Sequence, residues 1–93
     1  MADRQAVRAR FRGNVQGVGF RAHVQHHCRA ARIFGWVRNL PDGSVEAELI
    51  GAPDEVREVV RRIQAGRAHQ VSSVDVMEIP FPATLSEHFE ILH

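Results

Sequence analysis

The run Gly13-Asn14-Val15-Gln16-Gly17-Val18-Gly19-Phe20-Arg21 places three glycines within seven residues and an arginine just after them. Glycine accepts positive φ and close approach, so such a stretch can turn successive backbone N–H groups into one concavity. A helix beginning directly after it adds unpaired N–H donors and a partial positive charge. The Arg21 guanidinium adds a planar fork of donors that fits phosphate oxygens. The combination describes a cradle for a phosphoryl group. It is not a P-loop, since no Gly-Lys-Ser/Thr closes it, and the dinucleotide pattern G-x-G-x-x-G is absent. The other reading of Arg21 is a solvated first-turn side chain, a place where the helix dipole disfavours a cation.

A second polar residue, Asn39, ends an apolar stretch just before Pro41-Asp42-Gly43. Taken alone it reads as a turn-capping side chain, the usual work of Asn in that position. His23, His26 and His27 fall at i, i+3 and i+4 of the same expected helix. His23 and His27 share a face there as a metal-binding pair would, but no carboxylate accompanies them, and no metal site is expected. Cys28 lies on an apolar stripe with Phe20 and Val24 and reads as a core thiol. Trp36 also reads as core, and His69, His88 and His93 carry no signal.

Charge is unevenly spread. Residues 4 to 41 hold eight Arg and no Asp or Glu, whereas residues 42 to 93 hold ten acidic residues and four Arg, for a net charge of +1. A basic half around a glycine loop favours an anionic ligand. Pairing of most of these arginines with the later carboxylates across a sheet explains the same asymmetry without a ligand. The single cysteine excludes an internal disulfide and a thiolate-rich zinc site. No apolar run follows the N-terminus, so neither a signal peptide nor a membrane span is expected, and the expected location is cytoplasmic.

These residues need a frame. Val7, Ala9 and Phe11 alternate with Arg8, Arg10 and Arg12, the pattern of a half-buried strand. Phe20, Val24, Cys28 and Ala31 recur at helical spacing, predicting a helix from residue 21 to about 32. Residues 35–40 read as a second strand, and Val45, Ala47 and Leu49, alternating with Glu46 and Glu48, as a third. Pro53 suits a helix start, Val56, Val59, Val60 and Ile63 form its apolar stripe, and Gly66 marks its end. Residues 71–79 read as a fourth strand, broken by Pro80 and Pro82, and Phe89 with Ile91 as a short last one.

The order β-α-β-β-α-β plus a terminal strand predicts an α+β, ferredoxin-like split β-α-β sandwich, with an antiparallel sheet and two helices on one face. One domain over residues 1–93 is expected, with residues 1–5 as a flexible tail. In that topology Arg8, Arg10 and Arg12 should face Glu46 and Glu48. The chain starts at Met1 and includes a closing strand, so a complete protein is expected.

The motifs G-x-V-Q-G-V-x-F-R (13–21), G-W-V-R-N (35–39) and D-G-x-V-E (42–46) strongly resemble those of the acylphosphatase family. The match is strongest over residues 7–51 and looser beyond. Gly66-Arg67-Ala68-His69-Gln70-Val71 departs from it, lacking the Gly-Pro that the family commonly has there. The resemblance implies hydrolysis of the carboxyl–phosphate bond of a small acyl phosphate, releasing inorganic phosphate. It implies that Arg21 and the loop N–H groups of Gln16, Gly17, Val18 and Gly19 bind the phosphoryl oxygens and that Asn39 positions the attacking water. It requires no metal, cofactor or covalent intermediate. No nucleic-acid or membrane partner is expected, and a monomer is the expected state. The alternatives are a non-catalytic ferredoxin-like anion-binding or regulatory module and a carbamoyl-phosphate-handling domain of a larger protein.

Overall fold

A computed structural model describes residues 3–85 and 88–93. Residues 1–2 of the expected tail lie outside the described residues. The elements are β1 (Gln5–Gly13), α1 (Phe20–Ala30), β2 (Phe34–Asn39), β3 (Val45–Gly51), α2 (Pro53–Gly66), β4 (Val71–Ile79) and β5 (Phe89–Ile91). They build one five-stranded sheet in the order β4-β1-β3-β2-β5. Gln5, assigned above to the tail, already pairs with Gly51.

Alternation along β1 sends Val7, Ala9 and Phe11 to one face, where they join Val45, Ala47 and Leu49 of β3 in a single core. Phe20, Val24 and Cys28 of α1 and Val56, Val59, Val60 and Ile63 of α2 pack into that same core, so both helices cover one face. Phe11 and Phe20 meet edge-on with ring centroids 5.3 Å apart, which anchors the start of α1 to the central strand. Removing such a fully buried phenyl ring costs about 3–5 kcal/mol. None of the helices among the described residues is long and apolar enough to cross a membrane.

Three details differ from the sequence expectation. The sheet is mixed, because β5 pairs parallel to β2, with Gly35 opposite Phe89. β4 and β5 occupy opposite edges, and β5 runs against β4. Helix α1 stops at Ala30 and not near residue 32. The cause is a Schellman cap. Arg32, at φ 57°, lets its N–H reach Arg29 O at 3.1 Å and the Ile33 N–H reach Cys28 O at 2.8 Å. Finally, Trp36 is not core. It sits half-buried on the open face opposite Glu48, with the Arg38 and Arg8 guanidinium carbons 5.0 and 6.0 Å from its ring centroid.

That open face carries the expected arginine–carboxylate ladder with one correction. Glu46, only 4% exposed, gathers Arg8 at 3.8 Å and Arg10 at 3.7 Å. Arg38 completes the cluster, with Nε and Nη2 both donating to Glu46 Oε1 at 3.0 and 2.8 Å. Glu48 takes Arg8 at 3.7 Å. Arg12 pairs instead with Asp75 of β4, because β1 lies between β3 and β4 and its last turns sit beyond the β3 carboxylates.

Candidate active site

The glycine loop leaves β1 at a register shift between Arg12 and Gly13. It enters α1 through Gly19, which caps the helix in the left-handed region at φ 77° and ψ 18°. Gly17, at φ 74°, takes the same region, so two left-handed turns curl residues 17–19 tightly. The first helical bond runs from His23 N–H to Gly19 O at 3.0 Å. No side chain caps the α1 N-terminus and no acidic residue lies in its first turn. Among the described residues, the N–H groups of residues 15–19 donate to no backbone carbonyl outside regular elements. These N–H groups adjoin the positive end of a helix, an arrangement that favours an anion, and of residues 15–19 it is Val15, Gly17 and Gly19 that line the neighbouring cleft.

Val15, Gly17, Gly19, Phe20, Arg21, Ala22, Asn39, Ile91 and His93 surround a cleft of about 170 Å³. Arg21 and Asn39 therefore meet at one site although they come from α1 and from the last residue of β2. Pairing of β2 and β5 brings Ile91 and the residues after it to the same rim. Arg21 Nη1 donates to Leu92 O at 3.3 Å and lies 3.4 Å from His93 Nδ1. Guanidinium only donates, so His93 Nδ1 accepts. Both contacts are long, and no carboxylate among the described residues pairs with Arg21. The guanidinium keeps most of its donor capacity for a ligand.

Asn39 is exposed, and its side chain makes no hydrogen bond to another described residue. The turn that follows is capped by others. Asp42 accepts the Ser44 N–H at 2.9 Å and the Ser44 hydroxyl at 2.5 Å, and these two bonds hold its carboxyl below the ordinary carboxylate value. Gln16 donates from Nε2 to Leu40 O and to Ser44 O, each at 2.8 Å. The turn-capping role that Asn39 alone suggests is thus filled by Asp42 and Gln16.

Sequence reasoning assigned Gln16 through its backbone N–H and missed this brace, which joins the glycine loop to the β2–β3 turn across 24 and 28 residues. It also missed Arg67, whose Nη1 donates to Val18 O at 3.0 Å, neither residue lining the cleft. The only signal for Arg67 was the departure at residues 66–71. Leu92 and His93 carried no signal.

The other titratable candidates lie elsewhere. His23 donates from Nε2 to Ile63 O at 2.9 Å, and its ring stands 4.7 Å from that of His27. Partial burial, then the neighbouring His23, His26 and Arg62, push the His27 pKa down. No group of three or more His, Cys, Asp or Glu among the described residues could hold a metal ion. Cys28 is fully buried, and desolvation pushes its thiol up to about 12, which removes the thiolate at neutral pH. A larger groove of about 590 Å³ runs between α2 and the β1/β4 edge, but its Arg57 and Arg61 are already paired with Asp54 and Glu58.

Fold and site together define a ferredoxin-like domain with a small cleft at the junction of a strand, a glycine loop and a helix start. The acylphosphatase family model matches residues 7–91. An acylphosphatase of Synechococcus sp. is 50% identical over 66 residues, covering 71% of this chain and 70% of its own. An acylphosphatase of Chlorobaculum tepidum is 44% identical over 81 residues, covering 86% of this chain and 87% of its own. The crystal structure of acylphosphatase from Bacillus subtilis superposes with a TM-score of 0.85 at 30% identity, over 95% of this chain and 98% of that one. The chain belongs to the acylphosphatase family, hydrolases that act on the mixed anhydride of a carboxylic and a phosphoric acid.

Proposed function

We propose that this protein hydrolyses small acyl phosphates by direct, in-line attack of water, with Arg21 and the loop N–H groups of Gln16, Gly17, Val18 and Gly19 holding the phosphoryl group and Asn39 holding the water. The observation that supports this most is the convergence of uncapped loop and helix donors, an arginine without a carboxylate partner, and an Asn without turn-capping work on one cleft of about 170 Å³. The water oxygen forms a bond to phosphorus as the bond from phosphorus to the acyl oxygen breaks. The electron pair leaves with a carboxylate, a good leaving group that requires little general-acid help. An amide cannot accept the water proton at neutral pH, so a phosphoryl oxygen of the substrate takes it. Arg21 and the N–H groups stabilise the charge on the equatorial oxygens as it shifts. Asn39 contributes position, converting an encounter with bulk water into attack by one held water.

Nothing in this scheme needs a metal or another cofactor. The protein acts as one domain, as a monomer, and in the cytoplasm on this reading, with the acyl phosphate as its small-molecule partner and inorganic phosphate as product. A purely anion-binding module would have no use for an Asn poised opposite the loop. The test is hydrolysis of benzoyl phosphate in the presence of EDTA. Full turnover is expected, and loss of activity restored by zinc or magnesium would overturn the metal-independent route.

A further inference from the structure

We infer that Arg67 is a positioning residue that aims the Gly19 N–H into the phosphoryl cradle. The inference rests on the reading of the glycine loop given above. Arg67 caps the end of α2 and its backbone is fixed three times over. Its N–H donates to Gln64 O at 3.1 Å, and its carbonyl accepts from Gln70 N at 2.9 Å and Val71 N at 3.1 Å. From this rigid base Nη1 bridges Val18 O and Gln70 Oε1, each at 3.0 Å. Gln70 O in turn accepts the Asn14 N–H at 2.8 Å, at the other end of the loop. The short segment after α2 is therefore a bracket gripping the outer side of the glycine loop at Asn14 and at Val18.

The grip at Val18 has a directional consequence. The peptide joining Val18 to Gly19 is trans, since the chain has no cis peptide among the described residues. In a planar trans peptide the carbonyl and the N–H point in opposite directions. A Val18 carbonyl held outward by Arg67 sends the Gly19 N–H inward, toward the cleft that Gly17, Gly19 and Arg21 line. The permanent charge of the guanidinium also polarises that peptide, making its N–H a stronger donor. A Cβ on Gly19 would stand 3.9 Å from Arg67 Nη2, so the cation lies close to the residue it orients.

The test is an inorganic phosphate titration followed at the Gly19 amide by NMR, with benzoyl phosphate kinetics, on Arg67→Met, Arg67→Gln and Arg21→Ala. Arg67→Met is expected to weaken phosphate binding and raise KM roughly ten-fold, less than outright loss of a cradle donor, and to shrink the phosphate-induced shift of the Gly19 amide. Arg67→Gln keeps a neutral donor for Val18 O and is expected to fall between Arg67→Met and the parent, and it carries the test if Arg67→Met does not fold. Parental phosphate affinity and a parental Gly19 shift in the Arg67 variants, beside an inactive Arg21→Ala, would overturn the role of Arg67 and leave the site standing. An active Arg21→Ala would overturn the site itself.

Discussion

Two groups of arginines sit in this chain under opposite conditions. On the open face of the sheet, Arg8, Arg10 and Arg38 converge on the buried Glu46, and Arg12 pairs with Asp75. In the cleft, the partners of Arg21 among the described residues are only a carbonyl at 3.3 Å and an imidazole at 3.4 Å. The same side chain serves as a cross-strand strut in one place and stands ready for an anion in the other. The difference lies in what faces it. β3 supplies Glu46 and Glu48 at the register positions of Arg10 and Arg8, whereas α1 supplies no acid in its first turn. Among the described residues, four of the eight arginines in the basic half, Arg8, Arg10, Arg12 and Arg38, pair with carboxylates, and of the other four Arg21 is the one that lines the cleft.

Exchanging members of the two groups should give opposite phenotypes. Arg21→Ala is expected to cut turnover by ~10²–10³-fold or more while leaving the thermal midpoint nearly unchanged, because its contacts are long and exposed. Arg38→Ala should leave turnover of the folded protein intact and lower the midpoint. Equal loss of activity in both would erase the distinction. Glu46→Ala tests the strut side more severely. It strands Arg10 and Arg38 and leaves Arg8 with Glu48 alone, and a loss of roughly 1–3 kcal/mol is expected in urea unfolding. A variant as stable as the parent would show that the cluster is decoration.

Smaller effects sharpen the contrast away from both regions. Arg32 holds the left-handed position of the α1 cap, where glycine is the unstrained choice. Arg32→Gly is expected to stabilise by roughly 0.5–1 kcal/mol with turnover unchanged. At the α1–α2 contact, His27 titrates below its ordinary 6.5 in the folded chain, so the unfolded chain binds its proton first as the pH falls. The stability it lends is present above 6.5 and is lost as the pH drops below that value and through the folded pKa. The thermal midpoint should decline over that window, and His27→Gln should flatten the decline. An equally steep decline in His27→Gln would assign it to other groups.

Most of the frame was legible in the residue order. α2 and β4 match their expected limits, because Pro53, Gly66 and Pro80 punctuate them and the apolar stripe of α2 is regular. Arg21 and Asn39 were singled out through the motif, and both line one cleft. The rest depended on tertiary geometry that local pattern does not encode. The direction of β5 follows from which edge the chain reaches. Trp36 looks like core by type, yet β2 alternation puts Gly35 and Val37 inward and Trp36 on the arginine face. The side chains of Gln16 and Arg67 act over separations of 24 to 49 residues, so no spacing could announce them.

The central claim is that Asn39 holds water and leaves the phosphoryl group to the cradle. One variant, Asn39→Ala, tests it most directly when turnover, phosphate affinity and thermal midpoint are measured together. The account predicts a fall in turnover of at least ~10²-fold, with phosphate affinity and midpoint close to the parent, since Asp42 and Gln16 cap the turn without it. A protein that is destabilised yet fully active would contradict it and return Asn39 to the turn.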